Sequence, residues 1–361
     1  MRSALLLAAA AGIASANPVA TASPSAQTGI DLNVFDAQPK LDKVGPAVGA
    51  STEKPTYNPA EQKAAAAQDA LENPIAATNA TLKARDSGTC TNANQEPAGS
   101  GPMTSPDTFD AFMTNPAYGN VAQSAPVPDG YFLAFSDLSG SVEGPSYEGL
   151  YTMQSYDTIK CQQYCDAAPA CWAFNVFIER DPALTPSDSC VDPPSTANYK
   201  CTLWGAQVSS NSATNVGQWR NNFHVGIRGS NGFNKLAPPP SQPSFAGPIE
   251  LGGSIQAPYS YIGSKFFPGP YDPGQCTGAC QGTTQYDHDH PRDDGSYDAC
   301  NFVNSYVLSE NGAPQGTFCA LYTQAWDKSY STNVGQWRGS DYYSVSQSYG
   351  WILSPQDSGH I

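Results

Sequence analysis

The stretches YDTIKCQQYC (156–165) and YDPGQCTGAC (271–280) decide the fold. Each has an aspartate, Asp157 or Asp272, where a helix N-cap is expected, because a carboxylate can accept hydrogen bonds from the first free backbone N–H groups. Pro273 suits the first helical turn. The C-x3-C spacing puts two thiols on one helical face, one turn apart. Each stretch therefore predicts a helix that two disulfides can attach to two different strands.

The segments around these stretches also occur twice, in the same order. They are CWAFNVFI (171–178) with CNFVNSYV (300–307), CTLW (201–204) with CALY (319–322), and TNVGQWR at both 214–220 and 332–338. Aromatic and β-branched residues make the first two pairs strands. The copies differ mainly by inserts at 179–200 and 282–299. We therefore expect two homologous modules, each ending with TNVGQWR.

The chain of 361 residues is long enough for two domains and further segments. The predicted organisation is a signal peptide at 1–16, a disordered low-complexity segment at 17–86, an extension tied to the first module at 87–129, the first module at 130–234, a Pro-rich linker at 235–246 and the second module at 247–354. Disorder is expected at 17–86 because its Ala-, Pro- and Thr-rich composition offers little apolar surface to offset chain entropy. Residues 59–71 could form a weak Ala-rich helix there, with nothing obvious to pack against.

The N-terminus is typical of a secreted protein. Arg2 precedes a short apolar run at 5–13, and the A-x-A sequence at 14–16 is a cleavage signal. The run is too short to span a bilayer, so we expect no membrane span. Asn79 begins a glycosylation sequon, N-A-T, and 83–85 (KAR) could be a processing site. We therefore expect 17–86 to be a propeptide or flexible stalk. The predicted location is extracellular or associated with the cell wall.

Charge and cysteine content restrict the partners. The net charge of −15 argues against nucleic acid and anionic membranes, which both need clustered Lys and Arg. Ten cysteines in an oxidising compartment favour disulfides. No C-x2-C pair typical of zinc is present. Cys90 and Cys190 lie outside the repeated core, so we expect them to pair with each other.

A helix with C-x3-C, followed by C-x-x-F-type and C-x-L strands, resembles the PAN/Apple domain. The resemblance covers about 130–234 and 247–353, and the region after residue 85 resembles secreted fungal Apple-domain proteins. It implies an α+β fold of two tandem disulfide-stapled modules, each with one helix packed on an antiparallel sheet. It also implies binding of protein or carbohydrate without catalysis. The implied disulfides are Cys161–Cys201, Cys165–Cys171, Cys276–Cys319 and Cys280–Cys300.

The repeated TNVGQWR has two interpretations. Asn-Val-Gly is turn chemistry, and the following tryptophan could be a core aromatic in both copies. Alternatively the last three residues face solvent, where an indole can stack on a sugar ring and Gln and Arg can donate hydrogen bonds. The candidate ligand-binding residues are then Gln218, Trp219, Arg220, Gln336, Trp337 and Arg338. Two copies would provide avidity on a polymer.

Two other polar features have structural explanations. His288 and His290, flanked by aspartates, could bind a metal, but the surrounding residues are typical of a solvated loop and no metal site is predicted. Asn175 and Asn304 occur at equivalent positions, four residues after a cysteine. A buried asparagine there most often satisfies backbone groups.

No catalytic motif supports an enzyme. The chain lacks G-x-S-x-G and H-E-x-x-H, and bridges account for all ten cysteines. The sequence therefore predicts a non-catalytic protein without cofactors that binds extracellular polysaccharide or glycoprotein. The alternative is a protein–protein interaction module at a cell surface. An enzyme acting on cell-wall polymers is the less favoured third interpretation.

Overall fold

Two antiparallel sheets and six helices contain about half of the residues that the computed structural model describes, which are 24–74, 95–187 and 190–361. The helices are α1 (Leu32–Asp36), α2 (Pro59–Glu72), α3 (Phe109–Thr114), α4 (Pro116–Ser124), α5 (Thr158–Ala167) and α6 (Pro273–Asp289). The strands are β1 (Thr52–Glu53), β2 (Tyr131–Leu138), β3 (Tyr147–Met153), β4 (Ala173–Pro182), β5 (Ser195–Trp204), β6 (Trp219–Arg220), β7 (Phe223–His224), β8 (Gly226–Lys235), β9 (Phe245–Glu250), β10 (Tyr261–Pro268), β11 (Phe302–Glu310), β12 (Ala313–Tyr322), β13 (Gly335–Arg338) and β14 (Asp341–Leu353). The expectation of mixed helices and antiparallel sheets is confirmed.

The two sheets share a strand order. The first sheet runs β1-β3-β5-β4-β8-β2, and the second runs β10-β12-β11-β14-β13 with β9 also paired to β14. The series β3-β5-β4-β8-β2 therefore corresponds to β10-β12-β11-β14-β9. The register agrees too, since Val176 lies opposite Cys201 and Ser305 lies opposite Cys319. The repeated sequence thus reappears as repeated strand pairing.

One helix is attached to each sheet by two disulfides. The side chain of Asp157 accepts from the Lys160 amide, and that of Asp272 accepts from the Gly274 amide. This confirms both N-caps. The four predicted bridges are confirmed: Cys161–Cys201, Cys165–Cys171, Cys276–Cys319 and Cys280–Cys300. On the chain-entropy model, each long bridge adds about 4 kcal/mol to the free energy of unfolding.

The inserts extend regular elements. Residues 179–182 and 195–200 continue β4 and β5, and residues 282–289 continue α6. His288 therefore lies in a helix and His290 is its C-cap, so the prediction of a loop there is wrong. The fully buried pattern of β4 shows why the strand runs on, because both of its faces are covered.

The N-terminal segment differs from its predicted disorder wherever the structure describes it. Ile30, Leu32 and Phe35 are buried in the core of the second sheet. Helix α2 lies against α6, where Gly278 and Gly282 allow close approach. A Cβ at Gly278 would lie 2.4 Å from the Lys63 carbonyl oxygen, and one at Gly282 would lie 2.3 Å from that of Ala67. The segment gains burial from partners distant in sequence, which composition does not reveal.

A small interface joins the two sheets. The Trp172 indole N–H donates to the Tyr271 carbonyl oxygen at 2.9 Å, and both side chains are buried with Ala206 and Val307. The predicted linker at 235–246 contributes its first residue to β8 and its last two to β9. None of the helices in the described ranges is long and apolar enough to cross a membrane.

Several predictions fall outside the described residues: the signal peptide at 1–16, Asn79, the processing site at 83–85 and Cys90. Cys190 has no disulfide partner within 24–74, 95–187 and 190–361. The bridge between Cys90 and Cys190, the processing and the domain limits stay predictions.

Candidate functional site

The first half of each TNVGQWR copy forms a turn that pairs with a serine distant in sequence. Asn215 exchanges two backbone hydrogen bonds with Ser141, and Asn333 exchanges two with Ser254. Each asparagine side chain also accepts from the amide two residues later, at 3.1 Å from Gly217 and 2.9 Å from Gly335. This is the local asparagine turn that the sequence predicts.

Glycine is required at the fourth position of both copies. Gly217 has a φ of +94°, and a Cβ there would lie 2.2 Å from the Val225 carbonyl oxygen. A Cβ at Gly335 would lie 2.6 Å from the Tyr343 carbonyl oxygen. The chain can therefore turn into a hairpin strand at both places only without a side chain.

The tryptophans that follow face solvent. Trp219 is 65% exposed and Trp337 is 70% exposed. The interpretation of both as core aromatics is therefore wrong. Each sits on a short hairpin strand, paired with His224 in the first copy and Tyr342 in the second. Each of these strands is paired with only one neighbouring strand among the described residues, which leaves much of each indole in water.

Trp219 is the outer member of a stack of three rings. Its ring centroid lies 4.1 Å from that of His224, with planes 14° apart. His224 in turn stacks on Phe109 at 3.6 Å. Burial, and then the charge of Arg180, lower the pKa of His224, so the imidazole is neutral at neutral pH. The stack holds the indole flat with one face covered and its remaining surface accessible.

Trp337 has a different neighbour. Its ring centroid lies 5.0 Å from that of Tyr342, and the two planes are tilted by 46°. The cross-strand pair is of the kind that stabilises a hairpin. The second indole is thus supported at an angle, whereas the first lies in a parallel stack.

Gln336 and Arg338 already hold part of this chain. The Ile30 amide donates to Gln336 Oε1 at 2.8 Å, and Gln336 Nε2 donates to the Ile30 carbonyl oxygen at 2.9 Å. Arg338 binds both carboxylate oxygens of Asp36, at 2.5 and 2.9 Å. These contacts form a clamp on the backbone and on an acidic side chain of the N-terminal segment.

In the first copy, the side chains of Gln218 and Arg220 make no such contacts with the described residues. Within the described ranges neither side chain has a hydrogen-bond or ion-pair partner. Gln218 is exposed and Arg220 is half-buried. The first copy therefore presents an indole, an amide and a guanidinium to solvent on one hairpin.

The sequence missed the residues that complete each hairpin. His224 and Tyr342 both stand five residues after the tryptophan, and this spacing could have identified the stacking partners. Phe109, Ile30 and Asp36 are far from the repeat in sequence, and no local pattern connects them to it.

The other polar residues considered as candidates either hydrogen-bond to the backbone or do not form a metal site. The Asn175 side chain accepts from the Val142 amide, and the Asn304 side chain accepts from the Ile255 amide, which confirms their predicted backbone role. His288 contacts Asp289 at 3.2 Å, and His290 Nδ1 contacts the Tyr286 carbonyl oxygen at 2.8 Å. No group of three potential metal ligands occurs in the described part of the chain.

Comparisons of this chain with protein-family models, curated proteins and solved structures found no match.

Proposed function

We propose that this chain is a secreted, non-catalytic binding protein of two PAN/Apple-like modules. Its ligand is extracellular carbohydrate, such as a cell-wall glycan, and Trp219 and Trp337 contact it. The observation that carries the proposal is the exposure of the same tryptophan in both copies of an identical heptapeptide. An indole that stays exposed leaves apolar surface in contact with water, which is unfavourable. A sugar ring that stacks on the indole would bury that surface.

Four disulfides and the signal sequence are consistent with the secreted part of the proposal. The first copy is the fuller ligand site, because Gln218 and Arg220 are free to donate hydrogen bonds. The second copy contributes mainly its indole. Two contacts on one chain increase retention on a polymer more than either contact does alone.

The test is retention on insoluble chitin, β-glucan, mannan and cellulose, with soluble oligosaccharides as competitors. The native chain should be retained on one polymer and released by the matching oligosaccharide. Trp219→Ala and Trp337→Ala should each weaken binding by about 1 kcal/mol, roughly fivefold. The two losses should add in the double variant, because the sites are separate, and Trp219→Ala should have the larger single effect.

Leu236→Ala is the matched control, since Leu236 is 62% exposed and lies outside the repeat. It should leave retention unchanged. All variants should stay folded, and the tryptophan variants should show only a small drop in melting temperature from the lost ring contacts. Native retention by the double tryptophan variant would contradict the carbohydrate proposal.

A protein ligand is the second candidate, and one observation favours it. The clamp of Gln336 and Arg338 on the Ile30 backbone and on Asp36 of α1 is a way to bind an acidic peptide segment. Gln218 and Arg220 could hold such a peptide from another protein. Binding through Arg220 and a carboxylate weakens with salt, whereas binding to a neutral sugar is nearly independent of salt.

A further inference from the structure

A charged cluster is buried under the first sheet, on the face opposite α5. Glu179 and Asp181 on β4 lie beside Asn198 and Lys200 on β5, in a register that pairs Glu179 with Asn198. All four side chains are at most 1% exposed. Lys200 forms an ion pair with Glu179, and Asn198 Nδ2 donates to Asp181 at 2.6 Å.

The cluster holds the backbone of the N-terminal segment. Lys200 donates to the carbonyl oxygen of Ala47. Two residues later, the Gly49 amide donates to Asp181 at 3.0 Å and more weakly to Glu179 at 3.4 Å. The same segment continues as β1, which pairs with the edge strand β3. Residues 47–53 (the strap) are thus bound as an added strand with polar contacts to its main chain.

The second sheet shows that the fold does not need this cluster. Glu179, Asn198 and Lys200 correspond to Leu308, Gly316 and Phe318, which occupy the same register positions. Leu308 and Phe318 are buried against apolar side chains of the N-terminal segment. An apolar pair therefore serves as core in one sheet, while the other sheet buries charges at a considerable desolvation cost.

The cluster also retains unused binding capacity. Asn198 Oδ1 is buried and has no hydrogen-bond partner among the described residues. Burial, and then the charge of Asp181, raise the pKa of Glu179. A buried group of two acids, a lysine and an amide with a spare acceptor is costly as packing, but it suits recognition of main-chain N–H and C=O groups.

We propose that Glu179, Asp181, Asn198 and Lys200 form a peptide-binding cleft that the strap occupies as a built-in, exchangeable ligand. The cleft takes an extended polypeptide that adds a strand to β3. Its carbonyl oxygen is bound by Lys200, and a glycine two residues later donates its amide to the acids. Glycine is preferred there because Gly49 has a φ of +87°. None of the residues of this cleft belongs to the hairpins that carry Trp219 and Trp337.

The first experiment measures binding of a labelled peptide, VGPAVGASTE (44–53), to the full chain by fluorescence anisotropy. The variant Gly49→Pro removes the amide given to Asp181 and cannot adopt the positive φ, so it should release the strap. It should bind the peptide at least tenfold more tightly than the native chain. A peptide with proline in place of its second glycine should not bind.

Gly29→Pro is the matched control, because Gly29 also has a positive φ in the N-terminal segment but lies beside Gln336 of the second sheet. It should not increase peptide binding. Equal binding of the two peptides, or an equal gain with Gly29→Pro, would overturn the proposal. So would the absence of peptide binding by a folded Gly49→Pro variant.

The second experiment needs no variant. Hydrogen exchange in the native chain should show the Gly49 and Ser51 amides exchanging at least a hundredfold faster than the amides of β4 and β5. Excess peptide should not slow exchange in those two strands. Protection of Gly49 equal to that of β4 and β5 would mean that the strap is a fixed part of the fold, and the proposal would fail.

Discussion

Gln336 and Gln218 occupy the same place in two copies of one heptapeptide, yet they have different environments. The Gln336 side chain makes two hydrogen bonds to the backbone of Ile30, and the Gln218 side chain makes none to the described residues. The identical sequence thus forms the same turn in both copies. Whether the glutamine side chain is hydrogen-bonded depends on whether another segment of the chain lies over the turn. Gln336 therefore has a stabilising role, whereas the equivalent Gln218 is available to bind a ligand.

The first prediction compares these two glutamines. Gln336→Ala should lower the free energy of unfolding by about 1–2 kcal/mol, because two partly buried hydrogen bonds are lost. Hydrogen exchange at residues 30–36 should increase. Gln218→Ala should change the stability by less than about 0.5 kcal/mol. Urea denaturation of both variants measures the difference, and equal losses would contradict the clamp.

A second prediction concerns a buried acid on β3. Glu148 is 7% exposed, and neither carboxylate oxygen has a hydrogen-bond partner among the described residues. Burial raises its pKa to about 7 from an ordinary value of 4.5. The folded chain therefore binds a proton more tightly than the unfolded chain does. The stability contributed by this group should fall as the pH rises from about 4.5 to 7, and then stay constant.

Glu148→Gln should remove this pH dependence. At pH 8 the variant should be more stable than the native chain by up to about 3 kcal/mol, and at pH 4 the two should be similar. The measurement is the difference in free energy of unfolding between native and variant chains from pH 4 to 8. Glu250→Gln, at an exposed acid on β9, is the control and should show no such trend. A variant less stable at pH 8 would contradict the argument.

Among the elements, the contact of α2 with α6 depends on glycine. Gly282→Leu should displace α2, since the added side chain meets the Ala67 carbonyl oxygen and the Ala70 side chain. The Lys265–Asp69 ion pair should be lost with it. We expect amides of 59–72 to lose protection from hydrogen exchange, while both sheets keep theirs. Gly144→Ala is the control, because a Cβ at Gly144 meets no atom within 4 Å.

The helices and strands that follow from local chemistry were predictable, and those that depend on distant partners were not. Asp157 with its C-x3-C motif identified α5, and aromatic strand residues identified β4. Helix α2 is Ala-rich and weakly amphipathic, and only the paired glycines of α6 explain its packing. The candidate site shows the same limit: the sequence located Trp219, but Phe109 beneath its stacking partner lies more than a hundred residues earlier.

On the scale of the whole molecule, the N-terminal segment connects the two sheets. It binds the first through Gly49 and the second through Ile30 and α2. The direct contact between the sheets is the smaller one around Trp172 and Tyr271. The Gln207 amide also donates to Gln347 Oε1 at 2.9 Å. These contacts together couple the unfolding of the two sheets, so we expect a single thermal transition for the native chain.

Trp172→Ala tests how much of this coupling comes from the direct interface around Trp172 and how much from the N-terminal segment. The change removes a buried indole and its hydrogen bond to Tyr271, which should cost about 3–5 kcal/mol. The loss falls on the interface, so calorimetry should show two transitions in place of one. Trp326→Ala is the matched control, since Trp326 is also 7% exposed but packs only within the second sheet's core. It should lower the melting temperature and keep one transition. A single transition in Trp172→Ala would contradict this division, because it would mean that the remaining links, the N-terminal segment and the Gln207–Gln347 hydrogen bond among them, couple the sheets without Trp172.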